Sequence, residues 1–370
     1  MGQRRSAVET MEIAALFKKT YAGKKVFVTG HTGFKGSWLT YLLHMLGAEV
    51  KGYALAPENS YDLYYLLGLD TSMHSVIADL RDEEKLKKEI LDFKPDYVFH
   101  LAAQPLVRLS YDIPVETFTV NAIGTANVLQ SIRALSGKCT VICITTDKVY
   151  ENKEWIYPYR ENDRLGGYDP YSASKACTEI VINSFRQSFF NTADYNTHTK
   201  AIAVARAGNV IGGGDWSKDR IIPDIVRALQ KSAPIPVRNP VAVRPWQHVL
   251  EPLAGYLLLG HYLNEDPVKY SEAYNFGPQL EDTLTVEELV TLAIKEWGSG
   301  SIDYPKQDKA LHEAGLLKLD INKAISGLNW KPQWNAATAI SKTIQWYKEP
   351  LETAKQITES QIKDYLTWNG

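Results

Sequence analysis

The chain has 370 residues, 45% of them hydrophobic, enough for one large α/β domain and a smaller one around a substantial core. Lys and Arg total 41 against 43 Asp and Glu, a formal charge of -2, so no global field recruits nucleic acid or an anionic membrane, and an anionic ligand must be met by local groups. Cys139, Cys143 and Cys177 lack CxxC spacing and argue against a disulfide framework or a metal site, and no apolar run approaches the ~20 residues of a membrane span.

Residues 1–22 read as an extension, helical or floppy, with Met11 a second candidate start. MGQRRS formally fits a myristoylation pattern at Gly2 and Ser6, and Arg4-Arg5 matches a twin-arginine pair. The following AVETMEIAALFKKTYAGK lacks the apolar length of an export signal, and the lipidation pattern is short enough to arise by chance. With two cysteines in or beside an apolar strand, the chain reads as a protein of the reducing cytoplasm.

From Lys24 strand-like and helical runs alternate: KVFVTG, SWLTYLLHML closed by Gly47, EVKGYAL, SVIADL, the amphipathic DEEKLKKEILDFK, YVFHLA, a helix around VETFTVNAIGTANVLQSIRAL, and TVICITT. This βαβ repetition predicts an α/β fold with a doubly wound parallel sheet of Rossmann type. A helix opening near Pro170, the strand KAIAVARAG and the glycine-rich NVIGGGDW follow. Beyond Asn209, Pro223, Pro234, Pro236, Pro240, Pro245 and Pro252 break the pattern, and helical patterns at 285–297, 336–348 and 351–366 complete it. The expected organisation is a dinucleotide-binding domain over 23–208, with a segment returning to it near 240–276. A smaller, mostly C-terminal substrate domain takes 209–239 and 277–370.

In VFVTGHTGFKGSW, Gly30, Gly33 and Gly36 fall between the first strand and the first helix. Gly30 suits the tight turn, Gly33 the approach of a pyrophosphate to backbone N–H groups, and Gly36 close helix packing. The second strand ends at Tyr53, Ala54 and Leu55, without the acid that ordinarily holds an adenosine ribose and without an arginine for a 2′-phosphate. Tyr171 and Lys175 in YSASK share one helix face. Thr146, Asp147 and Lys148 lie just past the TVICI strand, where open α/β sheets collect their ligands.

The GxxGxxG spacing, with TTD and YxxxK at these distances, resembles the extended branch of the short-chain dehydrogenase/reductase superfamily. Together with HLAAQPLVRLSY, RAGNVIGGGDW and RPWQHVLEPL, over about Tyr21 to Tyr347, it is similar to the CDP-glucose 4,6-dehydratase family. The resemblance implies NAD, held by Gly30, Thr32, Gly33, Phe34, Gly36, Leu80, Leu101, Ala102, Ala103, Tyr171 and Lys175, with Asp79 as adenine contact or, on the alternative reading, a helix cap. It implies a Thr146, Tyr171, Lys175 triad, in which the ammonium and the positive nicotinamide bring a phenol of reference pKa ~10 into range. No metal is implied.

Eliminating water from a hexose needs two further titrating groups, one to protonate the leaving hydroxyl and one to take a proton from carbon. Asp147 is the candidate acid. In dTDP-glucose dehydratases a glutamate base follows the acid; here Lys148 stands there. Two roles are open to it, a C5 base if burial lowers its pKa from ~10.4, or a protonated stabiliser of enolate-like charge at C4.

For the sugar nucleotide, Gln104, Arg108, Asn209, Arg220 and Arg244 are the candidates, arginine forks matching phosphate oxygens. Trp216 and Trp246 are platforms for base or sugar, or core; Arg206 is a phosphate ligand or a structural ion pair. The implied reaction takes CDP-D-glucose to CDP-4-keto-6-deoxy-D-glucose and water, toward dideoxyhexoses of bacterial surface polysaccharides. A homodimer through helices flanking the sheet is expected from the same resemblance. The competing readings are another NDP-sugar dehydratase or 4-epimerase, against which Asp147 argues, and a silent NAD-binding regulator, against which the intact triad argues.

Overall fold

The computed structural model describes residues 7–305 and 316–367. Its apolar, β-branched runs form one sheet of seven parallel strands: β1 (Lys25–Thr29), β2 (Glu49–Ala54), β3 (His74–Ile77), β4 (Tyr97–His100), β5 (Cys139–Thr145), β6 (Lys200–Ala207) and β7 (Ala273–Phe276). The spatial order is 7-6-5-4-1-2-3. β4, β5 and β6 are buried along their whole length, as strands covered by helices on both faces must be. Val28 pairs with Gly52 on one side and Phe99 on the other, so the order reverses between β1 and β4. Their carboxyl ends therefore open the crevice in which such sheets bind ligands.

The helices that cover the sheet and shape the site are α1 (Ala7–Tyr21), α2 (Phe34–Met45), α3 (Glu83–Phe93), α4 (Gly124–Ala134), α5 (Pro170–Ser188), α6 (Ile221–Gln230), α7 (Leu250–Glu265), α8 (Val286–Trp297), α9 (Ala336–Lys348) and α10 (Ala354–Thr367). Successive side chains of a strand point to opposite faces, and the core divides accordingly. Phe27, Val98 and Val141 pack with Leu86 and Ile90 of α3, Leu129 of α4 and Ile182 of α5. Val26, Val28, Phe99 and Ile142 pack with Trp38 of α2 and Leu257 of α7 in a cluster that continues to Trp330, Trp334 and Ile344. The dinucleotide-type sheet and the C-terminal helices thus share one apolar core.

Local signals place the functional helices. Pro170 opens α5, where its missing N–H costs nothing, and Asp169 caps it by accepting from Ser172 N at 2.9 Å. The single helix expected over 115–135 is interrupted by a π-turn, Thr119–Ile123, a feature that often marks a functional region. It turns Asn121 inward, where the side chain accepts from Gln104 N at 2.8 Å and donates to Gln104 O and to Ser174 Oγ, at 3.1 and 2.8 Å.

Within the expected N-terminal extension, α1 is docked: Phe17 and Tyr21 are fully buried, Tyr21 OH donates to Leu257 O at 2.7 Å, and the helix packs on α7 and α10. The lipidation and twin-arginine readings at Gly2 to Ser6 lie outside the described residues. Among the described residues no helix is long and apolar enough to cross a membrane. Cys139, Cys143 and Cys177 are free thiols, and burial pushes the first two up to about 12.

Candidate active site

The glycine loop follows β1 directly. Gly30 has φ 77°, and a Cβ there would lie 2.7 Å from Ala102 N; one on Gly36 would lie 1.9 Å from Gly30 O, so α2 packs on the loop only because both side chains are absent. Gly33 differs. Its nearest neighbour to a Cβ is 3.5 Å away, it caps α2 without a side-chain bond, and the first turn carries no acid. The room beside Gly33 and the positive end of the α2 dipole fit a pyrophosphate.

Thr32 Oγ1 donates to Leu55 O at 2.9 Å, and Ala102 N donates to Thr29 Oγ1 at 3.2 Å, so the loop is tied to the ends of β2 and β4. Leu80 packs beside Gly124, 3.2 Å from where its Cβ would stand. Asp79 does not cap a helix; Asp82 caps α3, and Asp79 instead takes hydrogen bonds from the Arg81 side chain, which hold its carboxyl below the usual range.

Past the loop lies a cavity of about 920 Å³ whose lining brings together Phe34, Leu101, Ala103, Thr146, Asp147, Lys148, Tyr171 and Lys175 with Arg108, Asn209, Arg220 and Arg244. β5 delivers Thr146 and the 3-10 turn Asp147–Val149, and α5 delivers Tyr171 and Lys175. Asp147 is fully buried. Its Oδ1 accepts from Thr146 Oγ1 at 2.9 Å and from Lys148 Nζ at 3.1 Å, while Oδ2 has no partner among the described residues. Gly208 makes the seat, since a Cβ on it would fall 2.0 Å from that carboxylate.

Burial pushes the Tyr171 phenol up to about 12, with Thr146 and Arg220 pulling the other way. The expected lowering is thus outweighed by desolvation within the chain's own charges. Burial also brings Lys175 down to about 8, against the opposing charge of Glu179; its Nζ donates to Ile144 O at 3.1 Å.

Arg220 is held by Asp215 at 2.8 Å, and Arg108 lies 3.6 Å from Asp219. Arg244 donates to Val243 O at 3.1 Å. Asn209 sits at φ 47° with Nδ2 buried and without an acceptor among the described residues. Gln104 is different: its amide bonds Leu106 N, Leu106 O and Thr117 Oγ1, and it does not line the cavity. Trp246 belongs to the cavity wall, whereas Trp216 packs edge-on against Tyr61 and Tyr347. Arg206 forms a buried ion pair with Glu179 and does not reach the cavity lining.

Sequence reasoning passed over Lys35. It lines the cavity, and burial together with Arg220, Lys175 and Lys148 pushes it down to about 7, Asp147 opposing. The available signal was its place in the first turn of α2, where a cation opposes the helix dipole.

A glycine loop at the switch point of a 7-6-5-4-1-2-3 sheet, opening a helix whose Phe34 and Lys35 line one cavity with a Thr–Tyr–Lys set, defines the extended short-chain dehydrogenase/reductase fold. The chain belongs to the GDP-mannose 4,6 dehydratase family, whose model matches residues 27–343. It is 47% identical to the CDP-glucose 4,6-dehydratase of Salmonella typhimurium, over 95% of this chain and 98% of that one. Among solved structures it is similar to an epimerase from Methanothermobacter thermautotrophicus, with TM-score 0.76, 25% identity and coverage of 94% and 98%. A dTDP-glucose 4,6-dehydratase double mutant from Streptomyces venezuelae, crystallised with NAD, shares the fold at TM-score 0.75 and 23% identity, covering 90% and 99%.

Proposed function

We propose that the protein is a cytoplasmic, NAD-dependent CDP-glucose 4,6-dehydratase, converting CDP-D-glucose to CDP-4-keto-6-deoxy-D-glucose and water. The observation that carries this is the seating of Asp147 and Lys148 beside Thr146 and Tyr171 in one cavity, in a chain 47% identical to the Salmonella CDP-glucose enzyme. The glycine loop, Thr32, Phe34, Asp79, Leu80 and the 101–103 loop would hold the cofactor. When bound, its nicotinamide supplies the hydride acceptor for C4 and the donor for C6.

Tyr171 with Thr146 takes the proton of the C4 hydroxyl as the ketone forms, and Lys175 keeps positive charge near the phenolate. The ketone acidifies the C5 hydrogen. Lys148 either accepts that proton or stabilises the charge developing on the C4 oxygen. Asp147 delivers a proton to the C6 hydroxyl as its C–O bond breaks and the C5=C6 bond forms; Oδ2, buried and without a partner among the described residues, is the atom that would carry it. Arg108, Asn209, Arg220 and Arg244 meet the diphosphate.

The test is isotopic. Deuterium placed at C4 of CDP-glucose should appear at C6 of the product, and heavy water should label C5. Label returned to C4 would make the protein an epimerase, and label released as free reduced cofactor a simple dehydrogenase.

We further infer a homodimer through the outer faces of α5 and the 114–134 segment, where Val115, Ile123 and Ile180 stand 77%, 54% and 59% exposed.

A further inference from the structure

Thr145 and Tyr150 of the cavity wall are joined behind it to a buried polar network to which the proposed reaction assigns no step. Glu179 stands on α5 one turn beyond Lys175 and two beyond Tyr171, hence on the same face. Its carboxylate accepts from Thr145 Oγ1 and from Arg206 Nε, each at 2.7 Å, and pairs again with the guanidinium's second nitrogen. Both side chains are 4% exposed. Arg206, from β6, donates in turn to Tyr150 OH at 2.7 Å and to Glu161 O at 2.8 Å, with its guanidinium 4.9 Å from the Tyr150 ring centre. Tyr150 OH donates to Asn275 Oδ1 at 2.7 Å, and Asn275 is anchored by Glu161 Oε1, Tyr159 O and Asp320 O.

Thr145 immediately precedes Thr146, and Tyr150 immediately follows the turn Asp147–Val149. One ion pair therefore grips both ends of the segment that carries the acid and the lysine, and also belongs to the helix that carries the tyrosine. A buried ion pair is weak evidence of stabilisation, because desolvation offsets its Coulomb attraction; fixing a geometry is the better-attested use.

We propose that the Glu179–Arg206 pair, extended through Tyr150 and Asn275, is a positioning element that aligns Asp147 and Lys148 with Thr146 and Tyr171. This rests on the dehydratase reading. C4 oxidation depends on Tyr171 and Lys175 of α5 and on Thr146, which directly follows the gripped end of β5, whereas elimination depends on the turn that runs on from it toward the distal grip at Tyr150. Loosening the distal grip should therefore separate the two stages of the reaction.

Removing either charge would leave the other buried and unpaired, so the variants that separate the two stages lie further along the network: Tyr150→Phe deletes one hydroxyl, and Asn275→Ser deletes its anchor. Each is loaded with NAD and mixed with CDP-glucose, and reduced nicotinamide and product are followed together. Reduced cofactor should accumulate, with product formation slowed roughly 10-fold or more and KM within about twofold. A role confined to folding lowers the active fraction, so both stages would fall by the same factor with no accumulation; that result, or failure of both variants to fold, overturns the inference.

Glu179→Gln adds a pH readout. Besides Glu179, Lys175 senses Cys143 of β5, and its own charge is felt by His100 of β4 and Lys35 of α2. Loss of the facing carboxylate lets the ammonium deprotonate at lower pH, so the alkaline limb of kcat should move to lower pH. An unmoved limb contradicts the assignment. Absence of wild-type turnover of CDP-glucose would instead remove the dehydratase reading, a result separate from either variant's behaviour.

Discussion

Asp147 and Lys148 are adjacent in the chain and opposite in surroundings: the carboxylate is 1% exposed, and the lysine keeps 32% of its side chain in solvent. Burial suits a group that must hand its proton to a departing hydroxyl without losing it to water, and partial exposure suits one that must exchange with it. Asp147→Asn keeps the shape and the two bonds to Oδ1 while deleting the transferable proton. C4 oxidation should persist in that variant, reduced nicotinamide should build up on mixing with CDP-glucose, and product should form about 10²–10⁴-fold more slowly. Lys148→Ala separates the two roles left to this residue. Loss of exchange between the C5 hydrogen and solvent makes it the base; retained exchange with slow turnover leaves it an electrostatic part. Tyr171 shows how far neighbours must work, since burial carries its phenol up to about 12.

Among elements, α5 does most. Its first two turns place Tyr171 and Lys175 on the cavity, the third places Glu179 on the ion pair, and its outer face exposes Ile180. If that outer face is the dimer contact, Ile180→Glu puts a charge into an apolar interface, and light scattering should show the dimer giving way to monomer. A protein already monomeric at working concentration contradicts this. The elements were legible because each signal is local: Pro170 after Asp169, glycines between strand and helix, apolar runs closed by charged residues. Most of the candidate chemistry was legible for the same reason, since YxxxK fixes two side chains on one helical face whatever surrounds them. Asn121 and Glu179 were not. Each acts through a partner far away in sequence, Gln104 or Ser174 for one and Arg206 for the other, and no spacing within a single element announces such a meeting. Gln104 shows the same blindness, because its position beside HLAA says nothing of the Thr117 that occupies its amide.

At the scale of the whole molecule, one apolar cluster runs from the sheet into the C-terminal helices, and α1 closes it from below. Phe17 is fully buried there and does not line the cavity. Phe17→Ala should cost about 3–5 kcal/mol, the range for a large aromatic removed from a core, and lower the thermal midpoint while kcat below the transition stays unchanged. An unchanged midpoint would mean that docking of α1 contributes nothing to stability. The partners of α1 have a further consequence during synthesis. A 15-residue helix is marginal on its own, and besides Tyr97 and Phe99 of β4, which meet Tyr21, the elements that cover it are α7 and, near the other end of the chain, α10. At ~5–20 residues per second, a ribosome completes α10 roughly 20–70 s after α1 has emerged. For all that time α1 lacks part of its final cover, so a helix made early is among the last to be fully buried, and translation rate sets how long it waits.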